Sequence, residues 1–270
     1  MAHFSQEGLA LSSIQWLQLH HQAKTEERER RVRNIANRFT GPITLLDIAC
    51  GPGLWFPQYQ RHFPAGSTFA GVDKDAEMLQ YARQHYPFGT FYHEDYLSIP
   101  LRGWEYDVTL CNNSYGYSHN IRQLLAEQYR LTRPGGYMVG RHWDNSTFLY
   151  YPMDQELLHR VLHAAHQGWT QAEIPDHYMG MKLPQLFGEL EFQSLEVNRS
   201  FFYKYFPLRA AEEKYLQERA RWVGDAARDF LSVDDYVAWL HLFDPDHPQY
   251  ILQKPDFYYA YLMVELVGRK

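Results

Sequence analysis

The segment that decides the fold is Thr44-Leu45-Leu46-Asp47-Ile48-Ala49-Cys50-Gly51-Pro52-Gly53. It begins with a short apolar run and ends in two glycines, a pattern typical of a buried parallel strand followed by a tight turn. Gly51 and Gly53 allow the backbone to turn sharply and to approach a ligand closely. A helical pattern with aromatic residues on one side follows, at Trp55, Phe56, Tyr59 and Phe63. Strand, glycine-rich turn and helix indicate the start of a nucleotide-binding α/β domain.

The turn lacks the features of two common phosphate-binding loops. A dinucleotide fingerprint needs a third small residue where this chain has Phe56, and a P-loop needs Gly-Lys-Ser/Thr, which does not follow. A loop suited to a nucleoside without a pyrophosphate remains. Asp73 ends the second predicted strand, 20 residues after Gly53. An acidic group there can accept both ribose hydroxyls of a nucleoside. The alternative is a glycine-rich turn in some other α/β protein.

Composition narrows the class of protein. A chain of 270 residues with 45% hydrophobic content can form one large domain, or a domain with a cap. The net charge of −6, with scattered Lys and Arg, disfavours a nucleic-acid partner. No apolar run approaches the roughly 18 residues of a membrane span, and the charged N-terminus does not resemble a signal peptide. Cys50 and Cys111 are expected to be reduced core residues of a cytoplasmic protein. We expect no metal, and the oligomeric state is left open.

Asp47 and the Gly-x-Gly that follows resemble motif I of the class I S-adenosylmethionine (SAM) methyltransferases, usually Asp-x-Gly-x-Gly-x-Gly. Ala49 replaces the first glycine and Cys50 the residue after it. The resemblance, to the ubiquinone/menaquinone-methylase-like branch, covers residues 43–141. Three further segments carry it: Phe91 to Pro100 is similar to Gly-Asp-Ala-x-x-Leu-Pro with Glu94 for the glycine, Tyr106 to Cys111 to the Phe-Asp-x-Val strand, and Arg133 to Tyr137 to the turn before strand five.

The resemblance implies an α/β fold, a Rossmann-like seven-stranded methyltransferase sheet with an antiparallel last strand and a helical cap. We expect an N-terminal helical cap segment at 1–40, a SAM-binding core at 41–144, and cap helices with strands six and seven at 145–270. Strands six and seven are predicted at Phe192 to Phe206 and at Phe257 to Val267. A helical insert at about 207–255 separates them. It is interpreted as a lid; the alternatives are a surface elaboration or an oligomer contact.

SAM is the cofactor that the resemblance implies. Asp95 would accept a hydrogen bond from the adenine amino group, and Tyr96 would offer its backbone N–H to the ring. Met78 would pack on the adenine, or be a plain core methionine. The full set of predicted cofactor contacts is Asp47, Ala49, Cys50, Gly51, Gly53, Asp73, Lys74, Met78, Asp95, Tyr96, Asn112 and Asn113.

Acceptor contacts are expected from the N-terminal helix and from the region after strand five. The pattern predicts one helix from about Ser5 to Phe39, with the charge-dense run from Lys24 to Arg33 as a solvated face. Trp16, His20, His21 and Lys24 are held as exceptions, because the resemblance implies that polar residues of this helix can touch the methionine carboxylate or the substrate. In similar methyltransferases this helix folds over the cofactor. Residues 174–182 are predicted to form a loop. The candidate acceptor contacts are Trp16, His20, Tyr115, Trp143, Tyr150, His177, Tyr178 and Met181.

The expected activity is methyl transfer to a small aromatic or apolar metabolite, of secondary metabolism, with oxygen favoured and nitrogen or carbon open. His142, just beyond strand five, is the candidate general base, and Tyr117 would orient the acceptor. His119 is the rival base, and alignment alone is a further alternative. Two other functions stay open: a SAM-binding protein that catalyses another reaction, and a methyltransferase acting on RNA or protein.

Overall fold

The computed structural model describes residues 13–103, 105–171, 176 and 178–270. His177, a predicted acceptor contact, lies outside the described residues. The helices are α1 Ile14–Ala23, α2 Thr25–Ala36, α3 Phe56–His62, α4 Ala76–His85, α5 Ile121–Leu131, α6 Gln155–Gln171, α7 Met179–Gly188, α8 Ala210–Ala227 and α9 Val233–Phe243. The strands are β1 Thr44–Ile48, β2 Thr68–Asp73, β3 Gly89–His93, β4 Tyr106–Asn112, β5 Thr132–Trp143, β6 Leu149–Tyr151, β7 Ser194–Tyr205 and β8 Tyr258–Arg269.

One mixed sheet organises the chain. Strands β1 to β5 pair in parallel in the order β3-β2-β1-β4-β5, and β8 continues the sheet antiparallel to β5. The long strand β7 pairs with the other edge of β8 over its full length. The predicted seven-stranded sheet with an antiparallel last strand is therefore confirmed. A short strand, β6, adds three residues beside the start of β8, and the sequence did not predict it.

Alternation along β1 places apolar side chains on both faces of the sheet, as expected for a central parallel strand. Leu45 packs in the cluster that α2, α3 and α4 form on one face, whereas Leu46 and Ile48 pack with α5 and α7 on the other. All three side chains are fully buried. The turn after β1 is thus held by a core on each side, which fixes its position at the carboxyl edge of the sheet.

Helix α7 corrects the predicted loop at 174–182. The helix begins at Met179, and its Met179, Leu183 and Phe187 are buried against the same cluster as β1 and α5. These residues are spaced by four, so one helical stripe covers the sheet. The loop prediction is wrong for residues 179–182, because an apolar stripe that short was hidden by the polar residues and the proline around it.

A second core lies beyond the carboxyl half of the sheet. Helices α6, α8 and α9 pack together with Tyr150 of β6 and with the first half of β8, around Leu158, Leu216, Trp239 and Tyr259. Both helices predicted in the insert at 207–255 are present, as α8 and α9. Among the described residues no helix is both long enough and apolar enough to cross a bilayer.

The N-terminal helix is broken in two at Lys24, where the backbone leaves helical geometry (φ −120, ψ 16). The predicted solvated face is wrong for Arg28 and Arg31, whose side chains are buried, and Lys24, an exception to that prediction, is buried as well. Other members of the run, such as Glu26 and Arg30, are exposed as expected. The buried members face the sheet, where carboxylates and aromatic rings take the place of water.

Candidate active site

The turn after β1 adopts a conformation that few residues tolerate. Ala49, Gly51 and Gly53 all have positive φ, at 56, 54 and 71°. A Cβ at Gly53 would lie 3.1 Å from the Tyr86 ring and 3.2 Å from Ala82, so any side chain there would crowd its neighbours and strain the backbone. Ala49, which replaces the glycine of the family motif, carries the strain of a left-handed conformation. The resulting turn brings its backbone next to the end of β2.

Asp73, the last residue of β2, fastens this turn. Its carboxylate accepts hydrogen bonds from the N–H of Gly51 at 2.7 Å and from the N–H of Asp75 at 3.0 Å. Burial raises the pKa of Asp73, although these N–H groups act in the opposite direction. Asp75 in turn caps α4, where it accepts from the N–H groups of Glu77 and Met78. The carboxylate is thereby held at the ligand edge of the sheet.

Asp47 lies beneath the turn rather than in it. Its side chain is 1% exposed and accepts a hydrogen bond from the Tyr59 hydroxyl at 2.9 Å. Burial raises the pKa of Asp47 to about 7. Two other predicted cofactor contacts, Cys50 and Met78, are also buried. These residues support the floor of the site.

The loops after β3 and β4 reach the same edge. Asp95 accepts a hydrogen bond from the Leu97 N–H at 2.8 Å, and the Tyr96 hydroxyl donates to the carbonyl of Tyr117 at 3.4 Å. Asn113 has a positive φ of 61°, and its side-chain oxygen is buried with no hydrogen-bond partner among the described residues.

The two remaining predicted cofactor contacts also lie at this edge. Asn112 is half-buried at the end of β4. Lys74 is exposed, with its Nζ 5.8 Å from the ring centre of Tyr96. Because Ile48 pairs with Cys111, the residues that follow β4 adjoin the glycine turn. The ends of β1, β2, β3 and β4 therefore frame one site.

Helix α1 lies over this edge of the sheet. The side chain of Leu17 faces Gly51, and Gln18 donates a hydrogen bond to the Tyr81 hydroxyl on α4 at 2.7 Å. The His21 ring packs edge-on against Trp55, with 5.4 Å between the ring centres. The helix thus covers the glycine turn.

Beside the turn lies a group of buried basic side chains, Lys24, Arg28, Arg141 and Arg219, which we call the cationic cluster. Their exposed fractions are 4, 3, 2 and 7%. Arg28 and Arg141 lie over the Trp55 ring, with guanidinium carbons 4.5 and 5.8 Å from its centre. Lys24 and Arg219 lie over the Trp143 ring, at 5.9 and 5.6 Å. Sequence reasoning missed this cluster, apart from Lys24.

Two carboxylates neutralise part of the positive charge of these buried side chains. Glu27 accepts from Arg31 at 2.8 Å and from Arg141 at 2.7 Å, and Glu265 accepts from Arg31 at 2.8 Å. Although burial acts to raise it, the pKa of Glu27 falls to about 2 because Arg141, Arg31 and Lys24 surround it. These two carboxylates form ion pairs with Arg31 and Arg141. Lys24, Arg28 and Arg219 form no ion pair with any described carboxylate.

His20 lies between Lys24 and Arg28. Its Nε2 contacts the Lys24 amine, and its Nδ1 is 3.0 Å from Arg28 Nη2. Burial and then the charges of Lys24 and Arg28 hold the pKa of His20 well below its usual value, so the ring is neutral. Burial likewise lowers the pKa of Lys24. Arg28 donates to Nδ1 of His20 and the Lys24 amine lies against Nε2, so each ring nitrogen has a basic side chain next to it.

Aromatic rings wall the cationic cluster. Trp16 stacks on Tyr215 at 5.5 Å between ring centres, and His20 lies 5.4 Å from the same ring and 6.2 Å from Trp143. The structure therefore brings together three of the predicted acceptor contacts, Trp16, His20 and Trp143. Tyr150, a fourth, is buried in the cap core, 4.7 Å from Tyr259.

Three other predicted acceptor contacts lie apart from this wall. Tyr115 is fully buried, donates its hydroxyl hydrogen to Gln128 at 2.6 Å and packs beneath the sheet, so its prediction as an acceptor contact is wrong. Tyr178 and Met181 are 40 and 54% exposed at the start of α7. A Tyr with its hydroxyl bonded inside the core serves packing rather than binding.

His142 and Tyr117 face each other on the α7 side of the sheet edge. Their rings are nearly parallel, with centres 6.4 Å apart, and His142 is 4% exposed. A Cβ at Gly116 would lie 2.5 Å from His142 Nε2, so the glycine makes room for the imidazole. The rival His119 is exposed. Trp143, next along β5, points to the opposite face and joins the cationic cluster.

A surface cleft of about 1070 Å³ lies between α1, α6 and α8. Its lining includes Trp16 and Trp222. Trp222 also lies under Arg219, with 4.3 Å from the guanidinium carbon to the ring centre. These two tryptophans therefore separate the cleft from the cationic cluster.

Comparisons with known proteins agree with this arrangement. Residues 46–140 match the family model described as a methyltransferase domain. Malonyl-[acyl-carrier protein] O-methyltransferase of Pectobacterium atrosepticum is 34% identical over 94 residues, 35% of this chain and 36% of that protein. Trans-aconitate 2-methyltransferase of an Azoarcus species is 30% identical over 120 residues, 42% of this chain and 45% of that protein. The chain thus matches less than half the length of either relative.

A solved structure extends the similarity in fold. Geranyl diphosphate C-methyltransferase of Streptomyces coelicolor, determined with S-adenosyl-L-homocysteine, matches 91% of this chain and 79% of its own with a TM-score of 0.51. At 15% identity this similarity concerns the fold. The segments outside 46–140, which carry all four residues of the cationic cluster, are the part of the chain that the family model does not match.

Proposed function

We propose that this chain, whose residues 46–140 are a class I methyltransferase domain, transfers the methyl group of SAM to a small molecule. One observation carries the proposal. The Asp73 carboxylate is bonded to the N–H of Gly51, inside a turn of three left-handed residues at the carboxyl edge of β1 and β2. This is where open α/β sheets bind nucleosides.

The residues present fit SAM. Asp73 would hold the ribose hydroxyls, and Asp95 with the backbone of Tyr96 would hold the adenine. The buried Asn113 oxygen lacks a partner among the described residues, so it would accept from the methionine ammonium group. Arg28, stacked on Trp55 next to the turn, would pair with the methionine carboxylate. The proposal that SAM is the cofactor is supported by the residues of the site and by the match to the methyltransferase domain.

The chain's own residues would align the acceptor and exclude water. SAM, when bound, supplies a methyl group activated by a positively charged sulfur. Helix α1 covers the turn and shields the site from solvent. His142 would take the proton of an acceptor hydroxyl, and Tyr117, parallel to it, would orient the acceptor. Trp143 would provide an aromatic wall.

The cap assignment is also a proposal. Segments 1–40 and 145–270 would enclose a core at 41–144, and the insert at 207–255 would act as a lid. Its helix α8 supplies Tyr215 and Arg219 to the site, which supports this view. Hydrogen exchange tests this assignment. S-adenosylhomocysteine (SAH) together with an acceptor should slow amide exchange in α8, whereas unchanged exchange would mean that the insert does not close over the site.

Two measurements test the function. Calorimetry should show SAH binding to the full chain in the micromolar range. Incubation with methyl-labelled SAM and a metabolite extract should then yield a labelled small molecule and SAH. Acyl-carrier-protein thioesters belong in the same panel, since one relative is named for such a substrate. SAH binding without any labelled product would favour a SAM-binding protein with another reaction, and failure to bind SAH would end the proposal.

A further inference from the structure

We propose that Lys24 and Arg219 bind a carboxylate of the acceptor, so that the substrate is a small organic acid whose apolar part lies against the aromatic wall. The inference rests on the proposed function and adds the substrate's chemical class to it. It concerns the half of the cationic cluster that lies over Trp143.

The charge in this region is unbalanced. Among the described residues, only two carboxylates, Glu27 and Glu265, form ion pairs with any of the five buried basic side chains Lys24, Arg28, Arg31, Arg141 and Arg219. Lys24, Arg28 and Arg219 form no ion pair within the described ranges of the chain. A buried charge without a partner is destabilising by several kcal/mol, so such groups are normally paired. An anionic ligand supplies the missing charge.

Arg219 is the clearest case. It is 7% exposed, its Nη2 donates a long 3.3 Å hydrogen bond to the Asn145 amide oxygen, and its Nε has no partner among the residues described. Around it lie Trp143, Phe148 and Trp222, at 4.3 to 5.6 Å from the guanidinium carbon. A guanidinium with an unused N–H in such an apolar wall is arranged for a planar bidentate carboxylate.

Lys24 adds a second donor. Its Nζ lies 4.7 Å from the ring centre of Phe202 and 5.1 Å from that of Tyr215, and it donates to the Tyr261 hydroxyl. No described carboxylate bonds to it; the amine contacts His20 Nε2, the Tyr261 hydroxyl and the faces of aromatic rings. Tyrosine hydroxyls next to a cation can donate further hydrogen bonds to an anion.

Position assigns this half of the cluster to the acceptor rather than to the cofactor. Arg28 and Arg141 lie over Trp55, which follows the glycine turn, and are placed for the methionine carboxylate. Lys24 and Arg219 lie over Trp143 instead, next along β5 from His142. Arg219 also comes from α8, in the segment between the last two strands of the sheet rather than from the strand ends beside the glycine turn. The two halves thus serve two different carboxylates.

The experiment compares acids with their neutral amides. The full chain, saturated with SAH, is titrated with benzoate and succinate, with benzamide and succinamide, and with inorganic phosphate, while its melting temperature is followed. The variants are Arg219→Met, Arg219→Lys and, as a matched control on the same helix, Arg221→Met, whose side chain is exposed and paired with Glu218.

We expect at least one of the two acids to raise the melting temperature and its amide not to. Apparent affinity for that acid should fall at least tenfold in Arg219→Met, recover partly in Arg219→Lys, and stay within twofold in Arg221→Met. Lys24→Met should weaken binding of the same acid and leave the response to the amides unchanged. Arg219→Lys guards against a folding defect, since it retains both charge and bulk.

Several results would overturn the inference. These are equal shifts with acids and amides, an acid effect that survives in Arg219→Met, no acid effect in the parent protein, or a larger effect of phosphate than of either acid. A loss of SAH affinity above tenfold in Arg219→Met would move Arg219 to the cofactor and leave the proposed function standing. If the parent protein fails to bind SAH, the proposed function fails, whatever the acids do.

Discussion

Asp73→Ala should weaken SAH binding by about 30- to 150-fold. An ionised carboxylate has about four lone-pair positions, and two are taken by the N–H groups of Gly51 and Asp75. The backbone of Lys74 also interacts with this carboxylate, and the lone-pair capacity that remains would serve the ribose hydroxyls. Hydrogen bonds to a charged group contribute roughly 1.5 to 3 kcal/mol each, and water recovers part of this in the variant. A net loss of about 2 to 3 kcal/mol corresponds to the stated range.

Isothermal titration calorimetry with SAH is the assay, since it requires no acceptor. Asp75→Ala is the matched control: it removes the cap of α4 and should destabilise the fold by about 1 kcal/mol, with SAH affinity within threefold of the parent. If SAH binds Asp73→Ala within threefold of the parent affinity, Asp73 does not hold the ribose, and the reasoning from its free lone pairs is wrong.

Three further predictions concern stability and rate. Glu27→Gln should lower the free energy of unfolding by about 3 kcal/mol at pH 7, because the pKa of Glu27 is about 2 in the folded protein and 4.5 in the unfolded chain. This contribution is complete above pH 4.5 and is lost as the pH falls toward 2. Urea unfolding should therefore show a smaller difference between parent and variant at pH 3 than at pH 7. Ala49→Gly should stabilise by about 0.5 kcal/mol in thermal unfolding, since relief of left-handed strain exceeds the added chain entropy; a lower melting temperature would contradict this. His142→Ala should lower kcat by about 100-fold with SAH affinity retained, whereas a loss below fivefold with an unchanged pH–rate profile would leave alignment as the mechanism.

The sheet could be predicted because its signals are local. The apolar run at 43–48 adjoins the glycine turn, the acidic end of β2 follows 20 residues after Gly53, and each signal spans only a few residues; the structure places these elements as expected. Strand β6 escaped because three residues have no periodicity of their own. It pairs with the start of β8, where Tyr150 packs against Tyr259, and both partners come from distant parts of the sequence.

The cationic cluster could be predicted only in part, because burial of a charge depends on distant partners. Lys24, Arg28 and Arg31 recur at helical spacing on the same face, which is a signal that the charge-dense run is not uniformly solvated. Arg219 gave no such signal. Its environment is made by Trp143 and Phe148, more than 70 residues earlier in the chain, so only the folded structure brings them together.

Helix α8 and the strand ends supply the site from separate parts of the chain. The turn and the strand ends that frame the nucleoside site are built from one continuous stretch, whereas Arg219 and Tyr215 come from a segment inserted between the last two strands. Under the proposed roles, exchanging this one helix would change selectivity for the acceptor and leave the strand ends that would hold the donor unchanged. The donor site and the acceptor site would then be separable parts of one chain. A library of α8 variants is the place to select for new substrate preferences.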